Sequence, residues 1–594
     1  MHVIATAGHV DHGKSALVRA LTGMEPDRWA DEIRRGMTID LGFCWMSLGG
    51  GDGDGDADAD VAFVDVPGHE RYVANMLAGA GPAPAILFVV AADEGWRAQS
   101  EEHLAAVDAL GIEHGLLAVT RCDLADPGPA IEAATARIAR SSLGQVEAVA
   151  VSSVTGAGLP GLRAAMRRLI RRIAPPDPAA DVRLWVDRSF TITGHGTVAT
   201  GTLTAGTIRV GDELIALPIQ RPLRVRGLQA LKTERQHVAA IARVAVNLRG
   251  ADPADVRRGS ALVTPGRWLA TRTVDVRLAD PQARLPAAPM LHIGSCGISA
   301  RVRRLGADTA RLSLRTPLPL RIGDIAALRS PGRDAVRQVG ITRATVLDVK
   351  PPPLRRRGAA RERAAELAGM TGAADARAEL SRRRLVRVRD MIAMGAAPTA
   401  SPVAGDWLAD PGWWRELGGR LAAATQAHAA SRPLDPGLPA EAARQQLGLP
   451  DRRLVEALVR PPLTYHGGKI YCSPAAPSLP PQLQAAVETI RSDLRSNPYL
   501  APDSTRLREL RLGQRQLAAA VRAGYLLRVS PEVYLLPGAD ELAARILADL
   551  PQPFTLSQAR QALRTTRRVA VPLLEMLDRL GHTQRLDETQ RRVR

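Results

Sequence analysis

The sequence predicts a multidomain chain: an open α/β domain at the N-terminus, two antiparallel β-barrels, and a helix-rich tail built from repeats. Three observations predict it. A glycine-rich loop at residues 8–15 stands between an apolar strand and a helical pattern. Short β-branched runs between glycines follow a Pro-rich joint at 174–178 and resume over roughly 270–350. Beyond them, segments of about 60 residues repeat a helix–turn–helix–hairpin pattern.

The length of 594 residues exceeds what one core serves and suggests roughly four domains. Aromatic residues make up only 3%, so Ala, Leu and Val must build the cores. The formal charge of +18 points to a polyanionic partner, because cations gathered on nucleic acid release its counterions. An arginine-rich genome that spreads charge everywhere is the plainer alternative. Cys44, Cys122, Cys296 and Cys472 form no C-x-x-C pair, which argues against a zinc site or a disulfide framework. No signal peptide precedes the first strand and no apolar run reaches ~20 residues, so a soluble, cytoplasmic chain without a membrane partner is expected. Only four lysines occur, Lys14, Lys232, Lys350 and Lys469. With arginine as the default cation, each of them calls for a reason.

The first domain opens with a strand at 3–7, then GHVDHGKS, then a helix. This is G-x-x-x-x-G-K-[ST] in its proper setting: backbone N–H groups cradle phosphate oxygens at a helix N-terminus. Lys14 is expected to reach the β- and γ-phosphates and the Ser15 hydroxyl to bind Mg2+. A compact ammonium fits where a planar guanidinium is too large, which accounts for a lysine here. The strand at 61–64 ends in DVPGHE, where Asp65 would hold Mg2+ through a water and the Gly68 amide would sense the γ-phosphate. His69 follows, placed to orient or polarise an attacking water. Between the two lies RRGMTIDLGF, whose Thr38 is the candidate switch residue, with its hydroxyl on Mg2+ and its backbone on the γ-phosphate. The run GGGDGDGDADAD at 49–60 lacks the Gly and the closing Glu of a calcium loop and reads as a solvated hairpin tip.

At 116–126 the sequence LLAVTRCDLAD runs from a strand into a turn. Its position after AILFVVAADEG and a helix puts that turn at a strand's carboxyl end, where open α/β sheets bind ligands. A guanine-reading turn usually spells Asn-Lys-x-Asp; here it spells Thr120, Arg121, Cys122, Asp123. Asp123 can accept two N–H bonds from the guanine edge, a pattern adenine does not offer. Arg121 stands where a lysine stem would cover the base, and Thr120 keeps a hydroxyl but loses the amide. AVAVSSVTGAGL then supplies a strand and a turn at Ser152 and Ser153 suited to closing on the base. These pieces, in order, make an α/β P-loop GTPase domain. Its GTP site comprises Gly8, His9, Val10, Asp11, His12, Gly13, Lys14, Ser15, Thr38, Asp65, Gly68, Thr120, Arg121, Asp123, Ser152 and Ser153.

A GTPase domain followed by two barrels resembles a translational GTPase of the elongation factor Tu type. Residues 8–15, RGMTID, DVPGHERYVANML and GHGTVATGTL carry the likeness over residues 1–350. Within that family the chain most resembles the selenocysteine-specific branch, through TIDLGF, DVPGHERYVANMLAG, the threonine at the guanine turn, ARVAVNLRG and the tail. In the tail, 438–474, 481–537 and 541–594 each read as helix, turn, helix and hairpin wing, the pattern of tandem winged helices. Residues 355–415 are a degenerate further copy. The expected boundaries are 1–173 for the GTPase domain, 179–268 and 269–350 for the barrels, and 355–415, 416–478, 479–538 and 539–594 for the winged helices.

The resemblance implies GTP-dependent delivery of selenocysteyl-tRNA to the ribosome at recoded UGA codons, with the last winged helix gripping an mRNA hairpin. It implies a monomer with GTP and Mg2+ as cofactors and His69 as the catalytic residue. Val10 and Met37 match the hydrophobic gate around that histidine. Arg188 and Arg243, with His195 nearby, match a cationic pocket for a selenol ionised at neutral pH. The last module is the most basic, with Arg560, Arg564, Arg567, Arg568, Arg579 and Arg585; of these Arg560, Arg564, Arg567, Arg568 and Arg585 are the expected RNA contacts. Arginines in the first turn of TTRRVAVPLLEMLDRLG oppose the helix dipole, which suggests an anionic partner. The alternatives are another tRNA-carrying or initiator-type GTPase, a GTP-switched nucleic-acid-binding regulator, and a nucleotide-sulfating GTPase without winged helices.

Overall fold

The N-terminal sheet is assembled from β1 (His2–Ala7), β2 (Gly42–Ser47), β3 (Asp60–Asp65), β4 (Ala85–Ala91), β5 (His114–Thr120) and β6 (Glu147–Ala150). Its helices are α1 (Lys14–Thr22), α2 (Val73–Ala80), α3 (Ala98–Ala109), α4 (Gly128–Ile138) and α5 (Leu159–Arg172). The computed structural model describes residues 1–26, 38, 40–49, 59–194, 196–330, 340–472 and 479–594. The strand order is β2-β3-β1-β4-β5-β6, parallel throughout except for the antiparallel β2–β3 pair.

Side-chain alternation explains the two covered faces. Ile4, Leu87, Val89 and Leu116 pack with Leu17 and Leu21 of α1 and Leu162 and Met166 of α5. Their neighbours Val3, Ala5, Ile86, Phe88 and Leu117 pack on the other side with Met76, Leu77, Leu104, Val107 and Ile138 of α2, α3 and α4. A sheet buried on both faces needs nearly continuous apolar strands, which is what these segments supply. The turns that follow β1, β3 and β5 therefore emerge at one edge of the sheet, the edge where ligands bind.

The next strands are β7 (Arg183–Ile192), β8 (Gly196–Leu203), β9 (Thr207–Arg209), β10 (Glu213–Leu217), β11 (Arg221–Ala230), β12 (Thr233–Arg235), β13 (His237–Ala239), β14 (Ala242–Arg249) and β15 (Ala261–Val263). Six of them run in the order β10-β15-β7-β8-β14-β11 and close through the β10–β11 pairing, while β12 extends from β11. A second closed barrel has the order β16-β19-β18-β17-β20-β21. These are β16 (Ala270–Leu278), β17 (Met290–Ile293), β18 (Cys296–Arg304), β19 (Thr309–Pro319), β20 (Ile325–Arg329) and β21 (Ile341–Asp348). The two barrels are stapled by Arg183, which donates to both carboxylate oxygens of Asp324 at 2.5 and 2.8 Å. Arg183 and Arg321 also lie 4.7 and 3.7 Å from the ring centre of Trp268.

The helix α6 (Ala359–Ala368) is held by charge rather than by apolar area. Arg363 donates to Asp275 at 2.7 Å and to Asp348 at 2.5 Å, and Arg311 donates to both oxygens of Asp275 at 2.7 and 2.9 Å. This fixes α6 to the second barrel.

The chain divides into two compact units, residues 1–382 with 386–401, and residues 383–385 with 402–594. The stretch expected as a degenerate winged helix, 355–415, is thus shared between them. In the second unit the pattern of three helices and a hairpin recurs. Pro411–Ser431, Ala440–Leu447 and Arg452–Leu458 precede the hairpin Leu463–His466/Lys469–Cys472. Pro481–Ser496, Ser504–Glu509 and Gln514–Arg522 precede Leu527–Ser530/Val533–Leu535. Ala539–Ala548, Leu556–Ala562 and Arg567–Leu580 precede Thr583–Arg585/Gln590–Val593. Local chemistry sets the helix starts: Asp451, Asp503 and Thr555 accept from the amides of Arg453, Arg506 and Gln558. The last two copies share one core running from Leu479 to Leu577, while the first has its own around Leu421, Leu447 and Ile470. Among the described residues no helix is long and apolar enough to cross a membrane.

Candidate nucleotide site and the arginine pair of the first barrel

The loop after β1 is shaped by two glycines. Gly8 has φ 130°, and a Cβ there would stand 2.1 Å from the carbonyl oxygen of Val89. Gly13, at φ 78°, opens α1. Lys14 is buried at the helix start and donates to the carbonyls of Gly8 at 3.1 Å and His9 at 2.7 Å. The Ser15 hydroxyl donates to Asp65 at 2.6 Å and lies 3.0 Å from the Thr38 hydroxyl. Asp65 is fixed from behind by Thr6, whose hydroxyl donates to its second oxygen at 2.7 Å and accepts the Val66 amide. Three oxygen donors, from Asp65 of β3, Ser15 of α1 and Thr38, therefore converge, a set that fits Mg2+ rather than a softer ion. Gly68 closes over them: a Cβ would meet the Lys14 ammonium at 2.4 Å and the Val10 amide nitrogen at 2.7 Å.

Two side chains that no motif announces support this loop from α3. Gln99 accepts the Val10 amide at 3.0 Å, and His103, four residues on and fully buried, accepts the Gly8 amide at 3.1 Å through Nδ1. Burial, then the Lys14 charge, pushes His103 down to about 3; burial, then His9, pushes His12 down to about 4. His9, His12 and Glu94 bring possible ligand atoms within 4.8 Å of one another, but Arg121 and Arg97 already share the Glu94 carboxylate. Both lowered histidines take up a proton less readily folded than unfolded. Their stabilisation is complete above the ordinary value of 6.5 and drains as pH falls from there toward 4 and 3. The His12 share alone is of the order of 3 kcal/mol. The denaturation midpoint of the GTPase domain is expected to fall across that window; a midpoint constant from neutrality to pH 4 contradicts it.

The turn at 120–123, expected to read guanine, has a clear geometry. The Thr120 hydroxyl donates to the His12 carbonyl at 2.7 Å, tying the turn to the phosphate loop. Arg121, at φ 57°, donates to Asp93 at 2.9 Å, to Glu94 at 2.8 Å and to the Asp11 carbonyl. Asp123 is exposed at the same edge. Ser152 is buried and accepts the amides of Val154 and Thr155, which shapes its loop, while Ser153 is half-buried. His69 is half-buried, and its Nδ1 accepts the Arg71 amide at 3.1 Å. Val10 lies against Gly68; Met37, the other gate position, lies outside the described residues, as does most of the Asp-rich 49–60 segment.

In the first barrel, Arg188 and Arg243 meet at one ring. Their guanidinium carbons lie 5.5 and 3.9 Å from the centre of Phe43, which β2 of the GTPase domain presents. Each also has a carboxylate partner. Arg188 donates to Asp40 at 3.1 Å and to the Leu41 carbonyl at 3.2 Å, and Arg243 is paired with the nearly buried Asp187. Arg258 donates to the other Asp40 oxygen at 3.1 Å. His195 lies outside the described residues. Asp40 and Phe43 lie within TIDLGF and Asp187 adjoins Arg188 in VDRSF, but those motifs assign them no role, and Arg258 carries no motif of its own.

In the second unit, the last module divides its arginines by role. Arg568 donates to the carbonyls of Ala501, Pro502 and Glu532 and so joins two modules, and Arg585 donates to the carbonyls of Asp587 and Glu588. Arg564 and Arg567 are exposed and Arg560 is half-buried.

Sequence profiles match three parts of the chain: the elongation factor Tu GTP binding domain at 1–173, elongation factor Tu domain 2 at 196–263, and the elongation factor SelB winged helix at 545–592. With the two closed barrels, these matches make the chain similar to one class, the elongation factor Tu-like translational GTPases. Within that class the chain is similar to the selenocysteine-specific elongation factors. It is 38% identical over 344 residues to that of Desulfomicrobium baculatum, covering 55% of this chain and 53% of the relative. It is 33% identical over 356 residues to that of Escherichia coli K12, covering 59% and 56%. The chain thus spans about half the length of the curated relatives it matches. The crystal structure of a bacterial selenocysteine-specific elongation factor, EF-Sec, shares the fold over 100% of both chains, with a TM-score of 0.76 at 24% identity.

Proposed function

We propose that this chain is a cytoplasmic, monomeric, GTP-dependent carrier of selenocysteyl-tRNA, tethered through its C-terminal winged helices to a hairpin in the message. The observation that carries the reading is the meeting of Arg188 and Arg243 on Phe43, with Asp40 joining that pocket to the segment bearing Thr38. A selenol is ionised at neutral pH and a serine hydroxyl is not, so paired guanidiniums prefer the first. The arriving selenolate competes with Asp40 for Arg188. Asp40 lies two residues from Thr38, so acceptance of the cargo and the order of the nucleotide switch are linked.

Gly8, Gly13 and Lys14 would bind the phosphates, and Ser15, Thr38 and, through a water, Asp65 would hold Mg2+, which would supply charge neutralisation at the phosphates. Asp123 reads the base, Thr120, Ser152 and Ser153 shape its walls, and Val10 shields His69 until the ribosome engages. His69 then positions the water, hydrolysis releases Thr38 and Gly68, and the tRNA leaves. The tether raises the local concentration of the complex at the recoded codon without new chemistry.

The test is retention of selenocysteyl-tRNA against seryl-tRNA on the GTP-bound protein. Arg188→Ala is expected to erase roughly 10- to 100-fold of that preference, the worth of one charge-assisted hydrogen bond. Equal binding of both tRNAs by the wild type rejects the selenocysteine reading. Removing residues 479–594 takes away the whole core shared by the last two modules. That truncation is expected to keep tRNA binding and lose the hairpin; loss of both would favour a nucleic-acid regulator.

A further inference from the structure

We propose that Asp93 and Glu94 are positioning residues for the guanine base, acting through Arg121; the inference rests on the reading of residues 120–123 as the base-binding turn. Arginine at this turn is explained only in part by the scarcity of lysine. A lysine ammonium is a point donor, whereas the Arg121 guanidinium spends separate N–H groups on separate loops. Nη1 donates to Asp93 at 2.9 Å and Glu94 at 2.8 Å, in the turn after β4. Nη2 donates to the Asp11 carbonyl, in the phosphate loop after β1. The residue itself sits after β5 in the left-handed region, at φ 57°. One side chain therefore ties together three of the loops at the ligand edge.

The backbone presents the two acids for this purpose. The Ala92 amide donates to the Thr120 carbonyl at 2.8 Å and the Gly95 amide donates to the Ala91 carbonyl at 2.9 Å, so the β4 turn is tight and abuts the β5 turn. Each acid side chain keeps about 30% exposure, as does Arg121, at 31, 28 and 31% for Asp93, Glu94 and Arg121. The second Glu94 oxygen faces His12 at 3.8 Å and Arg97 at 3.6 Å, neither within hydrogen-bond reach, so the hydrogen bond that holds Glu94 is the one from Arg121 to its first oxygen. A free arginine stem has many rotamers and would lose about 2 kcal/mol of rotamer entropy on being fixed over a base. The acids fix it before the nucleotide arrives, so the stem is a standing wall of the base pocket.

The experiment follows release of N-methylanthraniloyl-GDP from the full chain by stopped flow. The Asp93→Asn/Glu94→Gln variant is expected to release it about tenfold faster, the effect of losing charge-assisted bonds at a half-exposed site. Glu94→Gln alone is expected to give a smaller increase in the same direction, which keeps the test if the double variant folds poorly. The decisive readout is non-additivity: on an Arg121→Ala background the acid substitutions should change the rate by less than about twofold. Raising the salt should speed release from the wild type and leave the acid variant nearly flat. An unchanged rate, or the same factor with and without Arg121, overturns the proposal. Asp123→Asn separates this from the base reading, because xanthine carries a carbonyl where guanine has its amino group and an asparagine amide can donate to it. A switch from guanine to xanthine nucleotides upholds the reading of the turn whatever the acids do; no switch rejects that reading, and the proposal with it.

Discussion

Replacing His69 by alanine is expected to slow GTP hydrolysis by about 10²- to 10⁴-fold and to leave nucleotide binding nearly unchanged. The argument begins with the hydrogen bond it makes. Nδ1 accepts the Arg71 amide at 3.1 Å, so the neutral ring carries its proton on Nε2. A ring in that tautomer can donate to a water and hold it in line with the γ-phosphate, but it has no free lone pair with which to take the water's proton. On the proposed reading, His69 would therefore orient the water rather than abstract its proton. His69→Gln retains a donor of similar reach and should keep measurably more activity than His69→Ala. Gly68 sets the distance, since its missing Cβ lets the turn approach within contact of Lys14 and Val10. Single-turnover hydrolysis on programmed ribosomes checks both variants. If alanine hydrolyses as fast as histidine, His69 is not the positioning group; if glutamine and alanine are equally slow, donation is not its mode.

The parts of this molecule legible in its sequence are those with a local signal. A strand, a glycine loop and a helix announce the phosphate site because each residue's role depends on its immediate neighbours. Thr120 is instructive: on paper it is an asparagine lost, yet its hydroxyl donates to the His12 carbonyl at 2.7 Å and ties that turn to the phosphate loop. The need is for a donor at that point, not for an amide. Long-range partners leave no such trace. Asp40 meets Arg188 and Arg258 across 148 and 218 positions, and Gln99 and His103 reach the phosphate loop across 89 and 95. Neither set has a period or spacing that marks it. The 355–415 stretch shows the converse. Its helices carry the polarity of a surface element, yet α6 is held by a buried arginine, and composition cannot tell an exposed Arg363 from a paired one.

Asp275→Ala is expected to destabilise the first unit by about 3–5 kcal/mol. Asp275 is fully buried and accepts three N–H groups from two arginines that are themselves 9% and 3% exposed, Arg311 and Arg363. Their desolvation is offset only while the carboxylate is present. Taking it away leaves Arg311 with the Pro352 carbonyl and Arg363 with Asp348 and Glu366, so positive charge is left buried beside a lost acceptor. Because α6 is anchored through Arg363, the failure should be local before it is global. Proteolysis at Ala359–Ala368 should rise steeply while GTP binding persists, since the nucleotide site draws on none of these residues. The converse substitution distinguishes attraction from mere packing. Exchanging Asp275, Arg311 and Arg363 together for apolar residues of similar volume should restore much of the loss, because no charge then remains to be paired. If Asp275→Ala leaves proteolysis and denaturation unchanged, the arginines find other acceptors and the charge set is not what holds α6.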